Sequence, residues 1–162
     1  MANLCIIPAR GGSKRIPRKN IKDFLGKPII AYSILSALGS GLFNEVMVST
    51  DDDEIAEISN NYGAKVPFLR SSETSNDYAT TYQVLEEVLL EYQKNGMTFD
   101  YICCIYPCAP FVNGEKLKLA FDTMLGGDFD SLFPTVRFGF PIQRALRLSN
   151  QKISFFNCLI SM

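Results

Sequence analysis

The sequence contains no histidine. This absence excludes Ser-His-Asp triads, histidine metal sites and histidine general bases. The chain also lacks any apolar stretch of the roughly 18 residues needed to span a bilayer. Its short N-terminal apolar run precedes the basic residues, which is the reverse of the order in a signal peptide. We therefore expect a cytoplasmic protein without a membrane partner.

Cysteine spacing typical of zinc sites is absent as well. The number of cysteines is odd, and several lie in or beside strand-like apolar runs. We expect reduced and mostly buried thiols. The five cysteines are Cys5, Cys103, Cys104, Cys108 and Cys158.

Neither sign of charge predominates, since the formal net charge of the 162 residues is -1. This balance argues against nucleic acid as a partner. The hydrophobic fraction of 47% and the length suit an ordinary globular chain, and we expect residues 1–162 to form a single domain. The positive charge is concentrated near the N-terminus, which favours a site for a small anion.

Strands and helices alternate in the predicted secondary structure. We predict strands over residues 3–8, 45–50, 65–69, 100–106 and 130–136, and helices over 28–41, 51–63, 77–95 and 114–125. Two further extended segments flank a turn at residues 149–152. Apolar strands separated by helices predict an α/β fold, a three-layer α/β/α sandwich around a mostly parallel, Rossmann-like sheet.

Three polar loops follow predicted strands: the basic loop after the first, "STDDD" after the second, and "YPCAPF" after the strand that begins near Asp100. Ligands of open parallel sheets bind beyond the carboxyl ends of the strands. We therefore expect the three loops to converge on one site.

The basic loop "PARGGSKRIPRKN" covers residues 8–20. It lacks the glycine spacing of a P-loop and the third glycine of a dinucleotide fingerprint. It offers the backbone N–H groups of Gly11 and Gly12, the Ser13 hydroxyl, and a set of cations: Arg10, Lys14, Arg15, Arg18 and Lys19. This combination predicts a cradle for a nucleotide triphosphate. The alternative is a solvated loop whose arginines pair with surface acids.

Residues 8–20 resemble the signature of the CMP-sialic acid synthetase (acylneuraminate cytidylyltransferase) family, and are most similar to its pseudaminic acid branch. The resemblance continues in order through "GKPIIAYSI", "VMVSTDDDEIAEIS", "YGAKVPFLRSSETSNDYATT", "YPCAPF" and "FPIQRAL". It implies the fold of the nucleotide-diphospho-sugar transferases. It also implies transfer of CMP from CTP to the anomeric hydroxyl of pseudaminic or N-acetylneuraminic acid, with release of pyrophosphate, a Mg²⁺ requirement and a homodimer.

The resemblance assigns roles to individual residues. Lys19 and Arg10 are the expected catalytic residues. The expected CTP-binding residues are Ala9, Arg10, Gly11, Gly12, Ser13, Lys14, Lys19, Asn20, Arg70 and Thr81. The expected sugar-binding residues are Tyr106, Gln143 and Arg144.

Several of these positions also have plain structural readings. Arg70 could form a surface ion pair instead of contacting cytosine. Asp77, which follows a polar loop, could contact the ligand or cap a helix. Tyr106, which stands where the sialic acid branch carries glutamine, could be a core aromatic residue, and Gln143 and Arg144 could be structural. The acids at 51–53 could bind a metal, but such residues at a helix start more often cap it.

Members of the family continue through an Arg-Ser-Gln-Asp-like motif and an aspartate-containing stretch that binds Mg²⁺, and neither occurs in this sequence. The resemblance therefore implies a C-terminally truncated chain whose metal ligands are unknown. Two alternatives stay open: a catalytically incomplete CTP-binding domain, and a substrate change to 3-deoxy-manno-octulosonic acid.

Overall fold

The computed structural model describes residues 1–127, 129–137 and 139, and the strand residues 146–149 and 152–155. The chain divides into two compact units, Met1–Asp128 and Phe129–Met162.

The described residues of the first unit form five strands and four α-helices. The strands are β1 (Asn3–Pro8), β2 (Asp23–Phe24), β3 (Lys27–Pro28), β4 (Glu45–Ser49) and β5 (Tyr101–Cys104). The helices are α1 (Ile29–Ser40), α2 (Asp53–Asn61), α3 (Thr81–Lys94) and α4 (Gly114–Gly126), and a short 3₁₀ helix covers Lys19–Ile21.

The main sheet has the order β4-β1-β5, and both pairings are parallel. Cys5 at the centre of β1 lies opposite Val46 on one side and Cys103 on the other. Because β1 is flanked by strands and covered on both faces, its run of apolar residues is buried almost without interruption.

Helices cover both faces of this sheet. On one face, Cys5 and Ile7 of β1 pack with Ile34 of α1 and Ile55 of α2, and Leu117 of α4 packs against the same cluster. On the other face, alternate strand residues pack against α3 (the cluster is Leu4, Ile6, Met47, Val88 and Tyr92). The prediction of a three-layer α/β/α sandwich with a parallel sheet is confirmed.

The start of α3 differs from the sequence prediction. We expected the helix to begin near Asp77, but it begins at Thr81. Thr80 is the N-cap, and it exchanges hydrogen bonds with Gln83 in a complete capping box. Asp77 therefore lies before the helix and does not cap it.

The strand predicted over residues 65–69 is reduced to one bridge between Lys65 and Met47. Lys65 still bonds β4 through both backbone groups, to Val46 and Val48, at 2.9 Å each. Pro67 stands where the next ladder bond would form, and it has no N–H to donate. The extended pairing therefore stops after one residue.

The second unit contains an antiparallel hairpin formed by β6 (Leu146–Ser149) and β7 (Lys152–Phe155). This confirms the two extended segments predicted around a turn. The strand predicted over 130–136 is wrong, since these residues carry no regular secondary structure. Pro134 in the middle of that run cannot donate a ladder bond.

No helix in the described part of the chain is both long enough and apolar enough to cross a membrane.

Candidate functional site

A cavity of about 470 Å³ lies beyond the carboxyl end of β1. Three segments line it: the basic loop, the stretch from Arg70 to Val84, and the turn after β5. The lining residues are Pro8, Arg10, Ser13, Lys14, Arg15, Ile16, Lys19, Asn20, Arg70, Thr74, Asn76, Asp77, Ala79, Thr81, Val84, Tyr106 and Pro107. Two of the three loops expected to converge therefore do meet there.

The third loop, which carries Asp51 and Asp52, does not line the cavity but supports the basic loop from behind. Asp51 accepts a hydrogen bond from the Gly11 N–H at 2.8 Å. Asp52 accepts from the Arg18 guanidinium at 3.0 Å and, as N-cap of α2, from the Ile55 N–H at 3.0 Å. The capping reading of these acids is confirmed at Asp52.

Arg18 is consequently turned away from the cavity, although it belongs to the basic loop. Its guanidinium also pairs with Glu54. Its backbone has a φ of +53°, a left-handed conformation that few non-glycine residues adopt. The hydrogen bond from Arg18, partly opposed by burial, holds the pKa of Asp52 below its usual range. For Arg18, the reading as a partner of surface acids is correct.

Gly11 lies in close contact with this junction. A Cβ atom built there would lie 2.6 Å from Oδ2 of Asp52, whereas one at Gly12 would meet nothing within 4 Å. Neither glycine lines the cavity, and the Gly11 N–H is already donated to Asp51. Ala9 is fully buried, and its N–H is donated to the Ser49 carbonyl at 2.8 Å.

Arg10 and Lys14 share one carboxylate. The Arg10 guanidinium lies 2.8 Å from Oδ1 of Asp77, and Lys14 pairs with the other oxygen. Hydrogen bonds from Lys14 and then Arg10 lower the pKa of Asp77. Asn20 is buried and donates to the Arg10 carbonyl at 2.9 Å, so it fixes the backbone at this point.

Arg70 is buried, with 8% of its surface exposed. Its Nε donates to Ser49 Oγ at 3.0 Å, and its Nη2 donates to the Ser49 carbonyl at 2.6 Å. Burial lowers the pKa of Arg70, while the charges of Asp51 and Glu87 oppose that shift. The alternative reading of Arg70 as half of a surface ion pair is therefore wrong, because the side chain is hydrogen-bonded to the end of β4 and lines the cavity.

The loop between Arg70 and α3 is held by groups that sequence reasoning did not single out. Glu87 of α3 accepts from the Ser71 N–H at 2.8 Å and from the Thr74 hydroxyl. The Asn76 side chain accepts from two successive N–H groups, those of Tyr78 and Ala79 at 2.8 and 3.0 Å. An asparagine that bonds backbone groups two and three residues later is a turn signal that the sequence did carry.

Tyr106 is 59% exposed, so the reading as a core aromatic residue is wrong. Its hydroxyl lies 2.9 Å from the Thr81 hydroxyl, which brings two predicted site residues together. Its backbone carbonyl accepts from the buried Ser33 hydroxyl of α1 at 2.9 Å. The predicted sugar-binding residues Gln143 and Arg144 lie outside the described residues.

The four described cysteines, Cys5, Cys103, Cys104 and Cys108, are unpaired, whereas Cys158 lies outside the described residues. Burial raises the pKa of Cys104 to about 11. Cys108 donates to the Asn20 side-chain oxygen at 3.6 Å, at the edge of the site.

The part of the sequence that builds this site matches a known protein family. A family model described as "Cytidylyltransferase" matches residues 4–150. The chain belongs to the cytidylyltransferase family. The predicted family resemblance is thereby confirmed.

Among cytidylyltransferase relatives, the pseudaminic acid cytidylyltransferase of Campylobacter jejuni is 49% identical over 97% of this chain and 68% of its own length. The CMP-N,N'-diacetyllegionaminic acid synthase of Legionella pneumophila is 39% identical over 74% of this chain and 52% of its own. A solved CMP:2-keto-3-deoxy-manno-octonic acid synthetase, in complex with CTP, has a TM-score of 0.65 and 26% identity. That match covers 78% of this chain and 48% of the synthetase. The chain thus spans about half to two thirds of the length of these cytidylyltransferases.

Proposed function

We propose that the chain binds CTP in this cavity and transfers CMP to the anomeric hydroxyl of a nine-carbon acidic sugar, with release of pyrophosphate. The observation that carries the proposal is the arrangement of Arg10, Lys14 and Lys19 around one cavity at the end of the central strand of a cytidylyltransferase. Several cations around one cavity suit a triphosphate, whose charge is spread over several oxygens.

In this reaction the sugar hydroxyl oxygen forms a bond to the α-phosphorus, the bond from that phosphorus to the bridging oxygen breaks, and the hydroxyl proton is released. Catalysis of such a transfer rests on alignment and on neutralisation of phosphate charge. Lys19 lines the cavity and takes part in none of the ion pairs of the described residues, so its charge is available to the α-phosphate and the departing pyrophosphate. Arg10 and Lys14 would hold the outer phosphates, and Ser13 would donate its hydroxyl.

Arg70 and Thr81 line the same cavity and are our candidates for contact with cytosine. Tyr106 stands beside Thr81 and is our candidate for the sugar. We favour pseudaminic acid as that sugar, because the Campylobacter relative at 49% identity carries that name. N-acetylneuraminic acid is the alternative within the same class. The octulosonic acid substrate has support from a likeness at 26% identity.

The resemblance implies Mg²⁺, but the described residues do not fit a magnesium centre of their own. They contain no group of three or more histidine, cysteine, aspartate or glutamate side chains that could hold a metal ion. Near the cavity, Asp51 accepts from Gly11, Asp52 binds Arg18, and Asp77 binds Arg10 and Lys14. The Mg²⁺ requirement therefore stays a prediction, as do the dimer and the cytoplasmic location.

The lack of a metal cluster among the described residues favours one second candidate function, CTP binding without turnover. One experiment tests both candidates. CTP binding is measured by calorimetry, with and without Mg²⁺, for the parent chain, Lys19→Ala and Lys22→Ala. Lys22 is an exposed lysine three residues further along that does not line the cavity, so it controls for loss of one charge.

We expect the Lys19 substitution to weaken CTP binding by about tenfold or more, as for a lost charge-assisted hydrogen bond, and the Lys22 substitution to leave it unchanged. Pyrophosphate release is then followed with pseudaminic, N-acetylneuraminic and octulosonic acids. Release with one sugar identifies the substrate, and binding without release supports the second candidate. Absence of CTP binding refutes both.

A further inference from the structure

Asp77 is a carboxylate in the wall of a cavity that otherwise suits an anion. It bridges Arg10 and Lys14, with one oxygen on each. These are two of the three cations assigned above to the triphosphate. Phosphate oxygens and this carboxylate would therefore compete for the same N–H donors.

The loop before α3 fixes the position of Asp77. The preceding residue, Asn76, closes a turn over Tyr78 and Ala79. Glu87 anchors the start of the same loop through Ser71. These bonds leave the Asp77 side chain directed at the cations.

The Asp77 carboxylate has no part in the helix that follows, because Thr80 caps α3 together with Gln83. Its ion pairs in the described part of the chain are those with the two site cations. A role in the stability of α3 therefore does not account for a charge at this position.

The backbone of Arg10 does not depend on Asp77 for its position. Its carbonyl is held by Asn20 at 2.9 Å, and its guanidinium also donates to the Ser75 carbonyl at 3.5 Å. Removal of the carboxylate would therefore free the charge of Arg10 without displacing its backbone.

We propose that Asp77 is an exchangeable internal counter-ion of the polyphosphate site, which binds Arg10 and Lys14 in the absence of nucleotide and is displaced by the incoming phosphates. The proposal rests on the proposed function. A polyphosphate carries several negative charges where the carboxylate carries one, so it can displace the carboxylate. The carboxylate returns to the cations when pyrophosphate leaves. Asp77 thus lowers the affinity for polyphosphate and promotes release of the product.

The test is calorimetry with CTP and with inorganic pyrophosphate on the parent chain, Asp77→Asn and Asp53→Asn. Asp53 is an exposed carboxylate in the first turn of α2, outside the cavity, so its substitution changes net charge equally. We expect the Asp77 variant to bind both ligands about three- to tenfold more tightly, the size expected for two exposed ion pairs, and the Asp53 variant to bind as the parent does. A merely structural role would weaken binding.

Two further variants keep the test decisive. Asp77→Ser removes the same charge with a different side chain, and a thermal unfolding curve verifies that each variant is folded. In a Lys14→Ala background the gain from Asp77→Asn should shrink, because one of the two competing cations is gone. If Asp77→Asn and Asp77→Ser bind no more tightly than the parent, this inference is overturned and the proposed function stands. If the parent binds neither CTP nor pyrophosphate, both are overturned.

Discussion

Replacement of Gly11 by alanine should destabilise the protein, whereas the same change at the neighbouring Gly12 should not. A methyl group at position 11 would lie 2.6 Å from Oδ2 and 2.8 Å from Cβ of Asp52. Because the backbone-proximal Cβ is involved, rotation of the side chain does not relieve the overlap. Asp52 must shift as a whole, and its bonds to Ile55 and Arg18 are lost.

The magnitude follows from those two bonds. Loss of a helix N-cap costs about 1 kcal/mol. Arg18 is partly exposed, so its pairing with Asp52 adds only about 0.5 kcal/mol. The sum is about 1.5 kcal/mol, which for a domain of this size lowers the melting temperature by about 3–6 °C.

Thermal unfolding followed by circular dichroism measures this difference. Alanine also restricts the unfolded chain relative to glycine, and this effect stabilises both variants similarly. The informative quantity is therefore the gap between Gly11→Ala and Gly12→Ala, not the gap to the parent. Equal melting temperatures for the two variants would refute the packing argument.

Three further predictions concern individual groups. Because the pKa of Asp52 is lowered in the folded state, its stabilisation is present above the unfolded pKa of about 3.9 and is lost as the pH falls through the lower folded value. Urea unfolding curves of the parent and Asp52→Asn should therefore differ at pH 7, and the difference should shrink as the pH falls below about 3.9. Cys104, with a pKa of about 11, should react with iodoacetamide at pH 8 roughly a hundredfold more slowly in the folded protein than in urea. Peptide mass spectrometry measures the two rates, and equal rates would contradict the burial of this thiol. Thr80→Ala should reduce the free energy of unfolding by about 1 kcal/mol and Thr80→Ser by much less, because serine preserves the capping box with Gln83.

The layers of the fold could be predicted from the sequence because the signals are local. The apolar run of β1 and the helical spacing in α3 each reflect burial that a few neighbouring residues decide. Where prediction failed, a single residue opposed the surrounding pattern. Pro67 and Pro134 interrupt apolar runs that otherwise indicate strands, and the Thr80 capping box in "TTYQ" is a readable signal for the true start of α3.

Which charged side chains line the cavity, and which pair with acids elsewhere, could not be predicted in the same way. Arg18 and Lys14 are close neighbours in one basic loop, yet one pairs with Asp52 behind the loop and the other lines the cavity. The difference depends on the left-handed backbone at Arg18 and on a carboxylate 34 residues further along the chain. Asp77 likewise meets Arg10 only because the folded sheet brings the two loops together.

The central position of β1 has a consequence for the order of folding. This strand is synthesised before both of its partners: Leu4 pairs with Glu45 in β4 and with Ile102 in β5. While the chain emerges from the ribosome, both edges of the strand therefore stay unpaired until β4 is made, and one edge stays unpaired until β5 follows. Parallel pairing over such separations makes folding slow relative to a helical protein of the same size, and it leaves an apolar strand edge open to other chains in the interval.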